Sequence, residues 1–118
     1  MAYTIDETLN DICAPTISSE VTLRAQLEQT AEECSELSQA CLKLIRSIGN
    51  GNPCDIPPCI ATDKVVEEIS DTMVAIEFLI RKMKAYNLVN YDISDRIDTI
   101  ASGKTARWCT RLEDDRNG

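Results

Sequence analysis

Two long stretches of this chain repeat apolar residues every three or four positions, and that spacing admits an α-helix and little else. The first stripe runs Leu23, Leu27, Thr30, Cys34, Leu37, Cys41, Leu44 and Ile48. The second runs Val65, Ile69, Met73, Ile76, Ile80 and Met83. Ser18 or Ser19 is the expected N-cap of the first helix, and Gly49-Asn50-Gly51 ends it. Thr62 or Asp63 caps the second, which stops near Asn87. Between them, "GNGNPCDIPPCI" (residues 49–60) holds three of the four prolines and reads as a loop. Asn90 to Asp92 begins a third helix carrying Ile93, Ile97 and Ile100 and continuing past Gly103 to the neighbourhood of Leu112. Ahead of all three, Thr4-Ile5-Asp6-Glu7 forms a capping box for a short helix that "APTISS" breaks near Cys13. No pair of alternating runs joined by a tight turn is present. The expectation is an all-α antiparallel bundle: two long helices, a C-terminal helix and a short N-terminal one, completed by oligomerisation.

The 118 residues are one domain's worth of chain, so the expectation is a single domain over 1–118. With one Trp, three Tyr and one Phe, the core must be aliphatic. Three amphipathic helices of this kind bury a thin core, which is the reason to expect a homodimer or homotetramer. No apolar run is long enough to span a bilayer, and "MAYTIDETLN" is too polar for a signal peptide. A cytoplasmic protein without membrane contact is expected. The net charge of −8 argues against nucleic acid as a partner, because phosphate backbones need clustered Lys and Arg. The six cysteines read as reduced, with Cys34 and Cys41 as small hydrophobes on the first stripe.

No histidine occurs anywhere in the chain. Its absence removes Ser-His and Cys-His nucleophiles, His-ligated zinc and the Glu-x-x-His di-iron pattern. Any chemistry must then rest on carboxylates, amines or a hard metal ion.

The two helices also carry one acidic phrase twice. "EECSELSQACLKLIR" (32–46) and "EEISDTMVAIEFLIR" (67–81) coincide at Glu32/Glu67, Glu33/Glu68, Ser35/Ser70, Ala40/Ala75, Leu44/Leu79, Ile45/Ile80 and Arg46/Arg81. Glu36 meets Asp71. Glu33 and Glu36 share one helix face, as do Glu68 and Asp71, each one residue ahead of an expected core position: Cys34, Leu37, Ile69 and Thr72. All four are therefore expected along the rim of the buried stripe, converging if the stripes pack together. A solvated acidic face is the ordinary alternative. Such a face usually pairs its acids with Lys or Arg one turn away, and here only Glu68 has such a partner, Lys64. Like charges at a half-buried seam need a cation, and carboxylate oxygens without His or Cys suit Mg2+ or Mn2+. On the third helix Lys104, Arg107 and Arg111 form a cationic face of the kind that accompanies Mg2+ in holding polyphosphate.

At these residues the chain resembles the MazG-like, all-α nucleoside triphosphate pyrophosphohydrolases, whose signature is EExxE followed by ExxD. Here it reads Glu32-Glu33-Cys34-Ser35-Glu36, then Glu68-Ile69-Ser70-Asp71, within residues 22–112. The resemblance implies Glu33, Glu36, Glu68 and Asp71 as Mg2+ ligands and Glu32 as a catalytic base or outer-sphere group. It implies Lys104, Arg107 and Arg111 as contacts to a nucleoside triphosphate, hydrolysed to monophosphate and pyrophosphate. The Pro- and Cys-containing spacer and Gly103 depart from the pattern. Phosphoribosyl-ATP pyrophosphohydrolases share a similar acidic arrangement, and a non-enzymatic acidic helical module that docks a basic partner is the alternative class.

Overall fold

A computed structural model of the protein describes residues 6–49 and 56–118. It contains four helices: α1 (Glu7–Glu20), α2 (Leu23–Ile48), α3 (Pro58–Tyr86) and α4 (Ile93–Asn117). No strand occurs among the described residues, so the all-α expectation holds. No helix is long and apolar enough to cross a membrane.

The caps explain where the helices begin. Asp6 opens α1, its carboxylate accepting from the Leu9 N–H at 2.9 Å; Thr4, expected to share that role, lies outside the described residues. Thr22 caps α2 by accepting from the Ala25 N–H at 3.0 Å, correcting the placement at Ser18 or Ser19. Ser19 instead turns its hydroxyl back onto the Thr16 carbonyl within α1. α3 starts ahead of the expected Thr62 or Asp63, at Pro58, where a missing N–H costs nothing. It ends at Asn87, whose φ of 56° is the left-handed conformation that Asn tolerates. Asp92 caps α4 by accepting from the Asp95 N–H at 2.9 Å.

α1 does not break at "APTISS" but runs through Pro15 to Glu20. A proline inside a helix removes one backbone hydrogen bond, and local sequence alone would end the helix there. Tethers on both sides of Pro15 hold it in register. Arg81 of α3 donates to Asp11 at 2.9 Å and to Glu7 at 3.4 Å, and Lys82 donates to the Ser18 carbonyl at 2.9 Å.

Two compact units emerge, Met1–Met83 and Lys84–Gly118. In the first, α2 and α3 are antiparallel. The Gln26 amide donates to the Ala75 carbonyl at 3.0 Å, Thr72 donates to the Glu33 carbonyl at 3.3 Å, and Glu36 meets Glu68 further on. Partner numbers on α3 fall as those on α2 rise, which fixes the direction. The second unit holds the end of α3, the Asn87 turn and α4; Lys84 bridges that turn by donating to Ser94 at 2.6 Å.

The buried face differs from the expected stripes. On α3 it comprises Ala61, Glu68, Thr72, Ala75, Phe78 and Lys82, and on α2 Gln26, Thr30 and Ala40. Glu68, Thr72, Ala75 and Lys82 each precede by one a residue of the apolar stripe; Gln26 and Ala40 do the same on α2. The buried face of α3 is thus turned by up to about 100° from the orientation its large aliphatics predict, whereas α2, which keeps Thr30 of its stripe buried, is turned by less. Small side chains let the two backbones approach closely, and Ala40, Ala61 and Ala75 occupy the seam. Leu27, Ile48, Ile69 and Ile76 are left exposed, as are Cys34 and Cys41, which correct the reading of those cysteines as core.

Candidate metal centre

The turn in phase decides where the acidic phrases go. Because Glu68 leads Ile69 by one residue, it enters the seam itself, only 2 % exposed, rather than the rim. Glu33 comes in from α2 at the same level, where Thr72 holds its backbone carbonyl. One turn on, Glu36 completes a triad: carboxylate oxygens of Glu33, Glu36 and Glu68 all lie within 4.8 Å of one another. A second triad, Glu67, Glu68 and Asp71, meets the same criterion and shares Glu68. Of the four carboxylates expected to converge, Glu33, Glu36 and Glu68 do so in one triad, and Asp71 joins Glu68 in the other. Asp71 and Glu67 are exposed, and so is Glu32.

The electrostatics of this cluster are unresolved by the protein itself. Glu33 accepts from the Gln29 side-chain amide at 2.6 Å through one oxygen, and its Oε2 is buried without a hydrogen-bond partner. Glu68 takes the Lys64 ammonium at 2.8 Å on Oε1, and its Oε2 is likewise buried and unpartnered. A buried anionic oxygen without a partner is costly, and two in one cluster are more so. The Glu36 carboxyl is raised above its ordinary value of 4.5, first by the charge on Glu33, then by burial and by the charges on Glu68 and Glu32. A divalent cation would supply what both orphaned oxygens lack. The donor set is wholly carboxylate, which fits Mg2+ or Mn2+ and no softer metal.

Beside the cluster lies an open groove of about 440 Å³, walled by Ile17, Val21, Val74 and Phe78, with Glu33 and Asp71 at its margin. Of the expected basic residues, Lys104, Arg107 and Arg111 are exposed along α4, and Arg107 and Arg111 flank a shallow groove with Thr110 and Asp114. Trp108 is exposed too.

Sequence reasoning passed over Glu67 and Gln29. The repeat contained the signal for Glu67, since it is the counterpart of Glu32. Gln29 carried none, being one polar residue among many on α2. Compared with known proteins, the chain matches no family model, no curated protein and no solved structure.

Proposed function

We propose that this protein is a Mg2+-dependent nucleoside triphosphate pyrophosphohydrolase of the MazG-like kind, hydrolysing an NTP or dNTP to the monophosphate and pyrophosphate. The observation that carries the reading is the pair of buried, unpartnered oxygens, Glu33 Oε2 and Glu68 Oε2, within a convergent carboxylate cluster. Evolution of a stable fold disfavours such groups unless something positive meets them.

Glu33, Glu36, Glu68 and Asp71 would hold the ion, the first and third by their orphaned oxygens. Bound there, Mg2+ would neutralise charge on phosphate oxygens and lower the pKa of coordinated water. Glu32, exposed on α2 and adjacent in sequence to Glu33, would take a proton from the attacking water. Gln29 fixes the Glu33 carboxylate in place. On the resemblance, Lys104, Arg107 and Arg111 bind the triphosphate. The exposed aliphatics Leu27, Val66, Ile69 and Ile76 support assembly with a second copy, which would cover apolar side chains that the single chain leaves in water.

The test is incubation with Mg2+ and a panel of NTPs and dNTPs, followed by assay of pyrophosphate. Release of pyrophosphate that stops on chelation is the expected result. A chain that releases none with any substrate, and whose melting temperature ignores Mg2+ and Mn2+, is an acidic docking module instead.

A further inference from the structure

Lys64 stands where a cation belongs. Its ammonium is 2.8 Å from Glu68 Oε1 and 3.7 Å from Glu67 Oε1, at the junction of the two carboxylate triads. We infer that Lys64 is the resident counter-ion of the cluster, neutralising Glu68 until a divalent cation displaces it. The inference rests on the metal reading above and concerns what occupies the ligands beforehand.

Three features separate this pair from an ordinary one-turn ion pair on a helix surface. First, the partners are unlike: Glu68 is buried, whereas the Lys64 side chain is 54 % exposed. The ammonium can therefore swing into water on its flexible stem without unpacking anything. Lys82 provides the contrast, since it is 5 % exposed and fixed on the Ser18 carbonyl, a structural lysine that cannot leave. Second, Lys64 neutralises the cluster only in part. It reaches Glu67 and one oxygen of Glu68, and leaves Glu33 Oε2 and Glu68 Oε2 unmet. A divalent ion brings twice the charge. Third, the two cations compete for one carboxylate, the ion at Oε2 and the ammonium at Oε1. Mg2+ binds carboxylate oxygens at about 2.0–2.1 Å. An ammonium hydrogen-bonded to the same carboxylate would sit a few ångströms from that ion, where like charges repel strongly.

The consequence is a threshold. On this inference the incoming ion displaces the Lys64 ammonium from Glu68, so the apparent affinity is reduced by the strength of that bond. In return the metal-free chain keeps its buried Glu68 compensated and remains folded.

The experiment titrates Mn2+ into the wild-type chain and Lys64→Met by calorimetry, with thermal melts in chelator. In parallel, lysine acylation of the wild type is mapped by mass spectrometry with and without Mn2+. Removing the competitor should tighten Mn2+ binding by roughly tenfold, the worth of one charged hydrogen bond. Lys64→Met should also melt lower without metal. Acylation of Lys64 should rise as Mn2+ saturates the protein, while that of Lys82 stays constant. Equal affinities, or Lys64 acylation that stays flat while the wild type binds Mn2+, would overturn the counter-ion role and leave the metal site standing. Absence of Mn2+ binding by both chains would overturn the site itself. The acylation readout needs only the wild-type chain, so it decides the matter even where Lys64→Met does not fold.

Discussion

Glu36 and Glu68, on antiparallel helices and thirty-two positions apart in the chain, bring carboxylate oxygens within 4.8 Å of each other. Two acids so placed repel when both are ionised, and the charge on Glu33 beside them adds the largest share of the strain on Glu36.

That strain has a pH signature. Folding raises the Glu36 carboxyl above its ordinary 4.5, so the folded state binds its proton more tightly than the unfolded state does. Stability of the metal-free protein should then increase as pH falls from neutral through the raised value, and the Glu36 contribution should level off near 4.5. Melting temperature against pH, measured in chelator, checks this. In Glu36→Gln the rise should be visibly smaller. An unchanged slope would remove Glu36 as its source.

Charge deletion should separate activity from stability. Glu36→Gln and Asp71→Asn each keep shape and lose one anionic ligand. Pyrophosphate release should fall by at least about a hundredfold in either, because metal-borne charge stabilisation is worth several kcal/mol. Without metal, Glu36→Gln should melt higher than wild type, since repulsion is relieved. A Glu36→Gln protein that stays active, or that loses stability along with activity, contradicts the ligand role.

Phe78 is the largest apolar side chain buried among the described residues, where the other buried apolar side chains are Ala40, Ala61 and Ala75. Truncation to alanine should cost about 3–5 kcal/mol. Urea unfolding reads this directly as a lowered midpoint, with the slope preserved if the transition stays two-state. A thin core has few other contacts to absorb the cavity.

Pro15 offers the opposite effect. Pro15→Ala restores an N–H that can donate to the Asp11 carbonyl one turn back, while α1 keeps its tethers to Arg81 and Lys82. The chain should gain on the order of 1–3 kcal/mol, the cost of a mid-helix proline less the extra freedom of the unfolded alanine. Circular dichroism melts should move upward.

Exposed aliphatics predict association. Sedimentation velocity should find a species heavier than 13.1 kDa, and Ile76→Lys should shift it toward the monomer. Ile76 is 41 % exposed in the isolated chain, so the change should leave the fold intact.

Spacing alone carried much of this structure. The i, i+3 and i, i+4 stripes placed α2, α3 and α4, the start of α4 was legible at Asn90 to Asp92, and the doubled acidic phrase brought Glu33, Glu36, Glu68 and Asp71 to one locality. Two things escaped. The continuity of α1 through Pro15 depends on Arg81 and Lys82, partners far away in sequence that no local rule can see. The facing of α3 was off by one residue, and that of α2 by part of a step, because hydrophobicity ranks isoleucine above alanine, whereas close helix approach ranks small residues first. That same displacement carried Glu68 from the expected rim into the interior.

Ala40 and Ala75, equivalent in the two phrases, are both buried, and Ala61 is buried further along α3. The distance between the two rows of acids is therefore gauged by methyl groups rather than by the acids themselves. A calliper built this way has a fixed jaw width, and each added methylene at Ala40, Ala61 or Ala75 would prise it open. Which ionic radius the jaws can grip is in that sense written in the smallest side chains of the interface, at positions that carry no charge.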